Sequence, residues 1–267
     1  MGRGTGELDA WRLLPYDAGD SASHFAFSDA LVRLASRPTI WWHSTARPTL
    51  ILGPGQRMPA TGERAESMVR KIRRQAGGTA VYATDAVLGL DVALPARHPL
   101  VLPDVVESYR WMGEMWIEAL AVLGVRAGLV GIKEARAART KASPLRDLVN
   151  AACFGTLSPY EVTVEDRKLV GLAQVRRRNG QLLQAGIHLR FDADDLAMQL
   201  DEHHPQKLAV ELRARATGLH EIVDRSVSLH DVMDAFNHVL QRRLHVQLVP
   251  GQWDEIELRH AEALWSA

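Results

Sequence analysis

The chain holds one cysteine, Cys153, in the stretch Asn150-Ala151-Ala152-Cys153-Phe154. A thiol attacks carbon as the thiolate, and its free pKa of about 8.5 falls only beside a cation, a metal or a helix N-terminus. Without such a neighbour, a lone cysteine behaves as a small buried hydrophobe. Lys168 follows fifteen residues later in Asp166-Arg167-Lys168-Leu169-Val170-Gly171-Leu172-Ala173-Gln174. That segment also reads as a polar turn entering a strand, with Lys168 a solvated lysine. Upstream lies Arg73-Arg74-Gln75-Ala76-Gly77-Gly78-Thr79-Ala80-Val81. Paired glycines let backbone N–H groups come close to a ligand, and Arg74 is suited to grip a carboxylate or phosphate. The same residues serve equally as a tight turn leading into a strand. Taken singly, the three segments leave chemistry and structure both open.

Other polar clusters carry less. His203-His204 lacks metal-ligand spacing and partners, so it is expected on the surface, and no metal site is expected. Arg176-Arg177-Arg178 is expected as a solvated hairpin tip, and Trp41-Trp42 as core.

The bulk composition narrows the classes. A length of 267 residues and a hydrophobic share of 46% suit one folded unit with a sizeable core. We expect a single domain over residues 1–267, with residues 1–10 loose and residues 205–267 a helical tail. Lys+Arg and Asp+Glu balance at 32 each, which argues against a nucleic-acid footprint. One cysteine allows no internal disulfide and suits a reducing compartment. No N-terminal apolar run suggests a signal peptide, and no stretch nears the roughly 20 apolar residues needed to span a bilayer. The expectation is a cytoplasmic protein with no membrane partner.

Periodicity supplies the frame that must hold these residues. Helices are expected over 22–35, 60–69, 103–123 (stopped by Gly124), after an N-cap at Ser228, and over 253–265. Strands are expected over 39–43, 49–52, 79–82, 87–94, 149–154, 161–164, 168–178 and 181–189. Residues 133–146, charged and alanine-rich without an apolar face, are expected as a loop or mobile segment. Asn179-Gly180 suggests a type I′ hairpin turn. In that register Ala173 faces Gly186 and Gly171 faces His188. Gly171, Ala173 and Gly186 then line one face as a slot for a flat or linear ligand, and Lys168, Leu172, Leu183, Ala185 and Ile187 lie on the other.

Taken in order, the segments resemble the lipoate-protein ligase and octanoyltransferase superfamily, whose fold is related to biotin protein ligase. The matching residues are Leu52-Gly53 with Gln56, Arg74-x-x-Gly77-Gly78-x-Ala80-Val81, and Ser158-Pro159-Tyr160-Glu161. They continue with Arg167-Lys168-Leu169-Val170-Gly171-x-Ala173-Gln174 and Leu183-Gln184-x-Gly186. The likeness runs from about Trp11 to Phe191, with the helical tail compatible. Cys153-Phe154 ahead of Ser158-Pro159-Tyr160-Glu161 is similar to the cysteine-dependent octanoyltransferases of Gram-positive type. The sequence departs from the family at Tyr82-Ala83-Thr84-Asp85 and Ala185-Gly186, where the pattern carries histidines, and at Thr79.

The resemblance implies an α+β fold of mixed, mostly antiparallel sheets flanked by helices, like a biotin/lipoate protein ligase or class II aminoacyl-tRNA synthetase catalytic domain. It implies Cys153 and Lys168 as the catalytic pair, with Cys153 carrying an acyl thioester and the Lys168 ammonium, beside the sulfur, holding it as thiolate and helping to stabilise the developing oxyanion. It further implies acyl or ligand contacts from Arg74, Gly77, Gly78, Thr79, Ala80, Val81, Tyr82, Gly171, Ala173 and Gly186. The donor would be an acyl carrier protein or a lipoyl-carrying protein. The acceptor would be a lipoyl-domain protein, such as glycine cleavage H protein or a 2-oxoacid dehydrogenase E2. A transferase of this kind needs no cofactor. The alternatives are an ATP- and Mg-dependent lipoate ligase acting through an acyl-adenylate, and a non-catalytic protein that binds acyl or lipoyl carriers.

Overall fold

A computed structural model describes residues 8–57, 69–140, 143–201 and 203–265. The chain opens with β1 (Asp9–Leu13), β2 (Asp17–Gly19), α1 (Ser21–Arg33), β3 (Thr39–Thr45) and β4 (Thr49–Leu52). Then come β5 (Arg70–Arg73), β6 (Val81–Ala83), β7 (Val87–Pro95), α2 (Arg110–Val122), β8 (Gly128–Leu129), α3 (Ile132–Thr140) and α4 (Arg146–Ala151). The remainder is β9 (Val162–Val164), β10 (Arg167–Arg176), β11 (Gly180–His188), α5 (Ala193–Leu200), α6 (Pro205–Arg213), α7 (Leu229–Leu244), β12 (Val246–Pro250) and α8 (Glu255–Trp265).

The fold is α+β, as expected. The large sheet runs β12-β1-β3-β7-β11-β10-β9-β8, with β2 on β3. Its centre, from β3 to β8, is antiparallel, and the β12-β1-β3 end is parallel. A small sheet, β5-β4-β6, lies apart.

Strand alternation gives the large sheet two unlike faces. Trp42, Leu88, Leu90, Val92, Leu183, Ala185, Ile187 and Val170 turn to one side. There they pack on Met112, Met115, Trp116 and Leu120 of α2 and on Phe236, Val239 and Leu240 of α7. Each such side chain contributes roughly 1.5–3 kcal/mol on burial. This layer is the floor under the site. The opposite face carries α1 and the small sheet, and a second apolar cluster joins Leu50, Leu52, Ala80, Ala152 and Phe154 to α5 and α6.

Several expectations are corrected. Residues 133–140, expected as a loop, belong to α3, because alanine, lysine and arginine favour helix even without an apolar stripe. Residues 149–154 are the end of α4 and a 3₁₀ turn, and only Ala152 pairs, in an isolated bridge. Asp9 and Ala10, expected loose, begin β1. The tail is not wholly helical: β12 pairs in parallel with β1. The helix expected over 60–69 falls almost wholly outside the described residues.

The hairpin register moves by two residues, so that Gly171 faces Gly186 and Ala173 faces Gln184. The loop is Arg178-Asn179, and neither residue has positive φ. Gly180 is instead needed for close packing: a Cβ there would lie 2.6 Å from Ala35 Cβ and 2.7 Å from Leu94 O. An even shift preserves faces, so Gly171, Ala173 and Gly186 still share one side. Lys168 changes sides. A bulge between Lys168 and Val170 puts both Leu169 and Val170 in the core and turns Lys168 toward Gly171. Only Arg178 of the arginine triplet is exposed. Arg176 donates to Ser108 Oγ at 2.6 Å and Arg177 to Gln75 Oε1 at 2.7 Å. His203 and His204 are exposed, and both tryptophans of the 41–42 pair are buried, as expected.

Candidate active site

Cys153 is placed by backbone bonds. After α4, Ala152 is extended (φ −90°, ψ 128°), and Cys153–Gly155 form one 3₁₀ turn. Ala80 N donates to Ala151 O and Cys153 N donates to Ala80 O, both at 2.8 Å. These bonds tie the glycine loop to the cysteine. Gly78 has φ 104°, in the left-handed region. A Cβ on it would lie 2.4 Å from Arg74 Nη2 and 3.8 Å from Cys153 Sγ. Behind the loop, a Cβ on Gly53 would meet Gly78 O at 1.9 Å. Gln56 braces both segments, accepting from Gly53 N and donating to Ala151 O, each at 2.9 Å. Gly53→Ala is therefore expected to lower stability by about 1–3 kcal/mol through overpacking. Urea titration checks this, and a change within about 0.5 kcal/mol, as at an ordinary surface position, contradicts it.

Two cations reach Cys153 by different atoms. Arg74 Nη2 donates to Thr79 O at 2.9 Å and lies 3.8 Å from Cys153 Sγ. Lys168, 1% exposed, donates from Nζ to Cys153 O at 2.9 Å, Thr156 O at 3.4 Å and Glu161 Oε1 at 2.6 Å. These three acceptors match the three protons of an ammonium. Nζ also sits 4.9 Å above the Phe154 ring centroid. Glu161, itself 1% exposed, accepts from Ser158 N at 2.7 Å and Leu172 N at 3.2 Å. Both ions of this buried pair are thus satisfied, the condition under which such a pair is tolerated. The ammonium, expected at the sulfur, grips the main chain of Cys153 instead, and the guanidinium of Arg74 stands at the sulfur.

Cys153 lies where two cavities meet. One, about 860 Å³ including its open mouth, runs between the large sheet and Ile51, Val81 and Ala83 of the small sheet. Arg74, Gly171, Ala173 and Gly186 also line it. The other, about 1250 Å³ including open solvent, is bordered by Gly77, Gly78, Thr79, Glu161 and Lys168. Two expected ligand residues stand back from both. Ala80 is fully buried in the bridge to Ala152. Tyr82 points away by strand alternation into the second cluster, where burial, with Asp195 and Asp192 nearby, raises its phenol pKa.

A sequence model of the lipoyl protein ligase A/B catalytic domain matches residues 20–241. The chain belongs to this family. It is similar to the octanoyltransferase LipM of Symbiobacterium thermophilum, 33% identical over 96% of this chain and 94% of that one. It is also similar to the octanoyltransferase LipM of Brevibacillus brevis, 28% identical over 96% and 95%. Among solved structures, a bipartite lipoate protein ligase from Thermoplasma acidophilum superposes with TM-score 0.74 at 21% identity, covering 97% of this chain and 93% of that one. A lipoate-protein ligase A bound with ATP gives 0.72 at 19%, covering 96% and 94%. At these identities the structural likeness concerns the lipoyl protein ligase fold alone.

Within this member of the lipoyl protein ligase A/B family, sequence reading missed Glu161 as the partner of Lys168, and the histidines of the first cavity. His24 and His43 both line it. The alternation of β3, with Trp42 in the core, was the available signal for His43. Burial first, then the charge of His43, lowers the His24 pKa to about 4, against the raising influence of Asp17.

His188, 3% exposed, packs edge-on against Phe154 with ring centroids 4.4 Å apart. Burial lowers its pKa to about 4. Between pH about 6.5 and about 4 the unfolded chain holds a proton that the folded chain excludes. Stability is therefore full above that window and falls as pH drops through it. Going from pH 7 to pH 5 is expected to remove about 2 kcal/mol through this residue. Urea titrations of wild type and His188→Leu check it. The variant should lose that part of the slope, and identical slopes contradict the assignment.

Proposed function

We propose that the chain is an octanoyltransferase of protein lipoylation. It moves an octanoyl group from a carrier-protein thioester, through Cys153, to a lysine of a lipoyl-domain protein. The observation that carries this reading is the position of Cys153 where an apolar cavity meets a second, wider one bordered by Glu161 and Lys168, with Arg74 at its sulfur. Relatives named octanoyltransferase, matching nearly the whole chain, support it.

In the first half-reaction the Cys153 thiolate bonds to the thioester carbon while the acyl chain lies in the apolar cavity. Collapse of the tetrahedral adduct expels the carrier thiolate, which takes a proton from solvent. In the second, the neutral amine of an acceptor lysine enters from the second cavity and attacks the Cys153 thioester. Cys153 leaves as thiolate and the surplus ammonium proton passes to solvent. Thioester to amide runs downhill, so the transfer needs no ATP. Arg74 complements the anionic sulfur. Lys168 holds the Cys153 turn and adds positive potential where the carbonyl oxygen becomes anionic.

The donor is an acyl carrier protein or another lipoyl-carrying protein. The acceptor is a glycine cleavage H protein or a 2-oxoacid dehydrogenase E2, in the cytoplasm. Incubation with an octanoyl-carrier thioester and a lipoyl domain, without ATP, tests the reading. Octanoylated domain is expected. Product that forms only from free octanoate with ATP and Mg overturns it in favour of a ligase. Arg74→Ala is expected to slow transfer by about 10²-fold, and to slow iodoacetamide alkylation of Cys153 at neutral pH. Unchanged alkylation would remove Arg74 from thiolate support.

A further inference from the structure

A row of four residues crosses four neighbouring strands. Gly171 of β10 faces Gly186 of β11, Gly186 faces Gly89 of β7, and Gly89 faces His43 of β3. Their chain neighbours Val170, Ile187, Leu88, Leu90 and Trp42 turn to the core, so all four share the cavity side. Three successive positions without side chains make a trench across the sheet. Both ends are closed. A Cβ on Gly171 would lie 3.2 Å from Lys168 Cε and 3.3 Å from the Phe154 ring, and one on Gly89 would lie 2.3 Å from His43 Cε1. Above Gly186 nothing among the described residues comes within 4 Å. Cys153, beside Phe154, stands at the Gly171 end of the cavity and His43 at the other.

We propose that His43 is the end stop of this trench and sets the acyl length the enzyme accepts, an inference that rests on the acyltransferase reading above. Strands lie ~4.8 Å apart, so the path from Gly171 to Gly89 is ~10 Å. An extended alkyl chain, with C–C bonds of about 1.5 Å at about 111°, advances about 1.3 Å per carbon. An extended chain of eight carbons, about 10 Å long, entering at the Gly171 end therefore reaches the His43 ring that fills the space over Gly89.

The stop is rigid and polar. The His43 ring lies 4.8 Å, centroid to centroid, from both Trp41 and His24. Its Nε2, buried and without a hydrogen-bond partner among the described residues, is 3.6 Å from Asp91 Oδ1. Asp91, 1% exposed, accepts from Ser28 Oγ and, at 2.8 Å, from Gln184 Nε2. His24 is hydrogen-bonded to Asp17 at 2.8 Å. A methylene pushed past His43 would enter this cluster and separate polar groups that are packed on one another.

The test attaches chains directly. Full-length protein is labelled with n-alkyl methanethiosulfonates from butyl to tetradecyl, which join the alkyl group to Cys153 as a disulfide and release methanesulfinate. Cys153 is the chain's single thiol, so Cys153→Ala gives the background. The melting temperature of wild type should rise with each added carbon up to about octyl and then fall. His43→Ala should move that break outward by about two to three carbons, each about 1.3 Å. His43→Phe should move it inward, and decides the question if the alanine variant does not fold. The same break in all variants, or no break at all, overturns the end stop. The assay uses no transfer reaction. A shifted break without octanoyl transfer would sink the enzymatic reading alone, and transfer with an unmoved break would sink the end stop alone.

Discussion

With Cys153 replaced by alanine, octanoyl transfer from a carrier thioester to a lipoyl domain falls on the order of 10⁴-fold or more, and the loss lies in kcat. The size follows from the proposed route, because both half-reactions pass through the same sulfur and no other thiol exists in the chain to take its place. The bonds that set the Cys153 backbone, to and from Ala80, are main-chain bonds. Folding and carrier binding should therefore survive the substitution. Serine at this position should do little better, since a hydroxyl stays un-ionised where a thiol can be held anionic. A rate within tenfold of wild type, measured with octanoyl-carrier substrate, contradicts the covalent route.

The second large effect belongs to Lys168. Removing it as Lys168→Ala leaves Glu161, 1% exposed, as a buried charge whose hydrogen-bond partners among the described residues are backbone N–H groups. Breaking one side of such a pair destabilises by about 3–5 kcal/mol, read by urea titration. The Cys153–Gly155 turn also loses its tether, because Nζ bridges Cys153 O and Thr156 O. The double substitution Lys168→Met with Glu161→Leu separates the two contributions. It removes both charges, so most of the stability should return while octanoyl transfer stays lost. Transfer restored along with stability would make Lys168 a purely architectural residue. A single Lys168→Ala variant as stable as wild type would contradict the ion pair itself.

The difference between what local pattern reveals and what it hides is plain at particular residues. Ser228 with Asp231 announces the start of α7, and the structure has that reciprocal cap. Gly124 ends α2 at φ 84°, as a glycine after a helix should. These depend on neighbours a few residues apart. The motif segments lie near one another for a reason the sequence does not display, namely the Ala80–Ala152 bridge and the Gln56 brace. The hairpin register went astray because Asn179-Gly180 has the chemistry of one turn while Gly180 is needed for contact with residues 35 and 94. A single bulge at Lys168 then carried that side chain to the other face. The pairing of β12 with β1, from opposite ends of the chain, has no local signature. The His43 trench is likewise invisible along the chain, since its four residues share a line only once four strands are in register.

The most direct measurement is the mass of the protein after brief exposure to an octanoyl-carrier thioester, followed by peptide mapping. One octanoyl group is expected, on the peptide containing Cys153, released by neutral hydroxylamine and discharged when a lipoyl domain is added. An octanoyl group that persists in the Cys153→Ala variant, or transfer that proceeds with no acyl-protein ever formed, would contradict it.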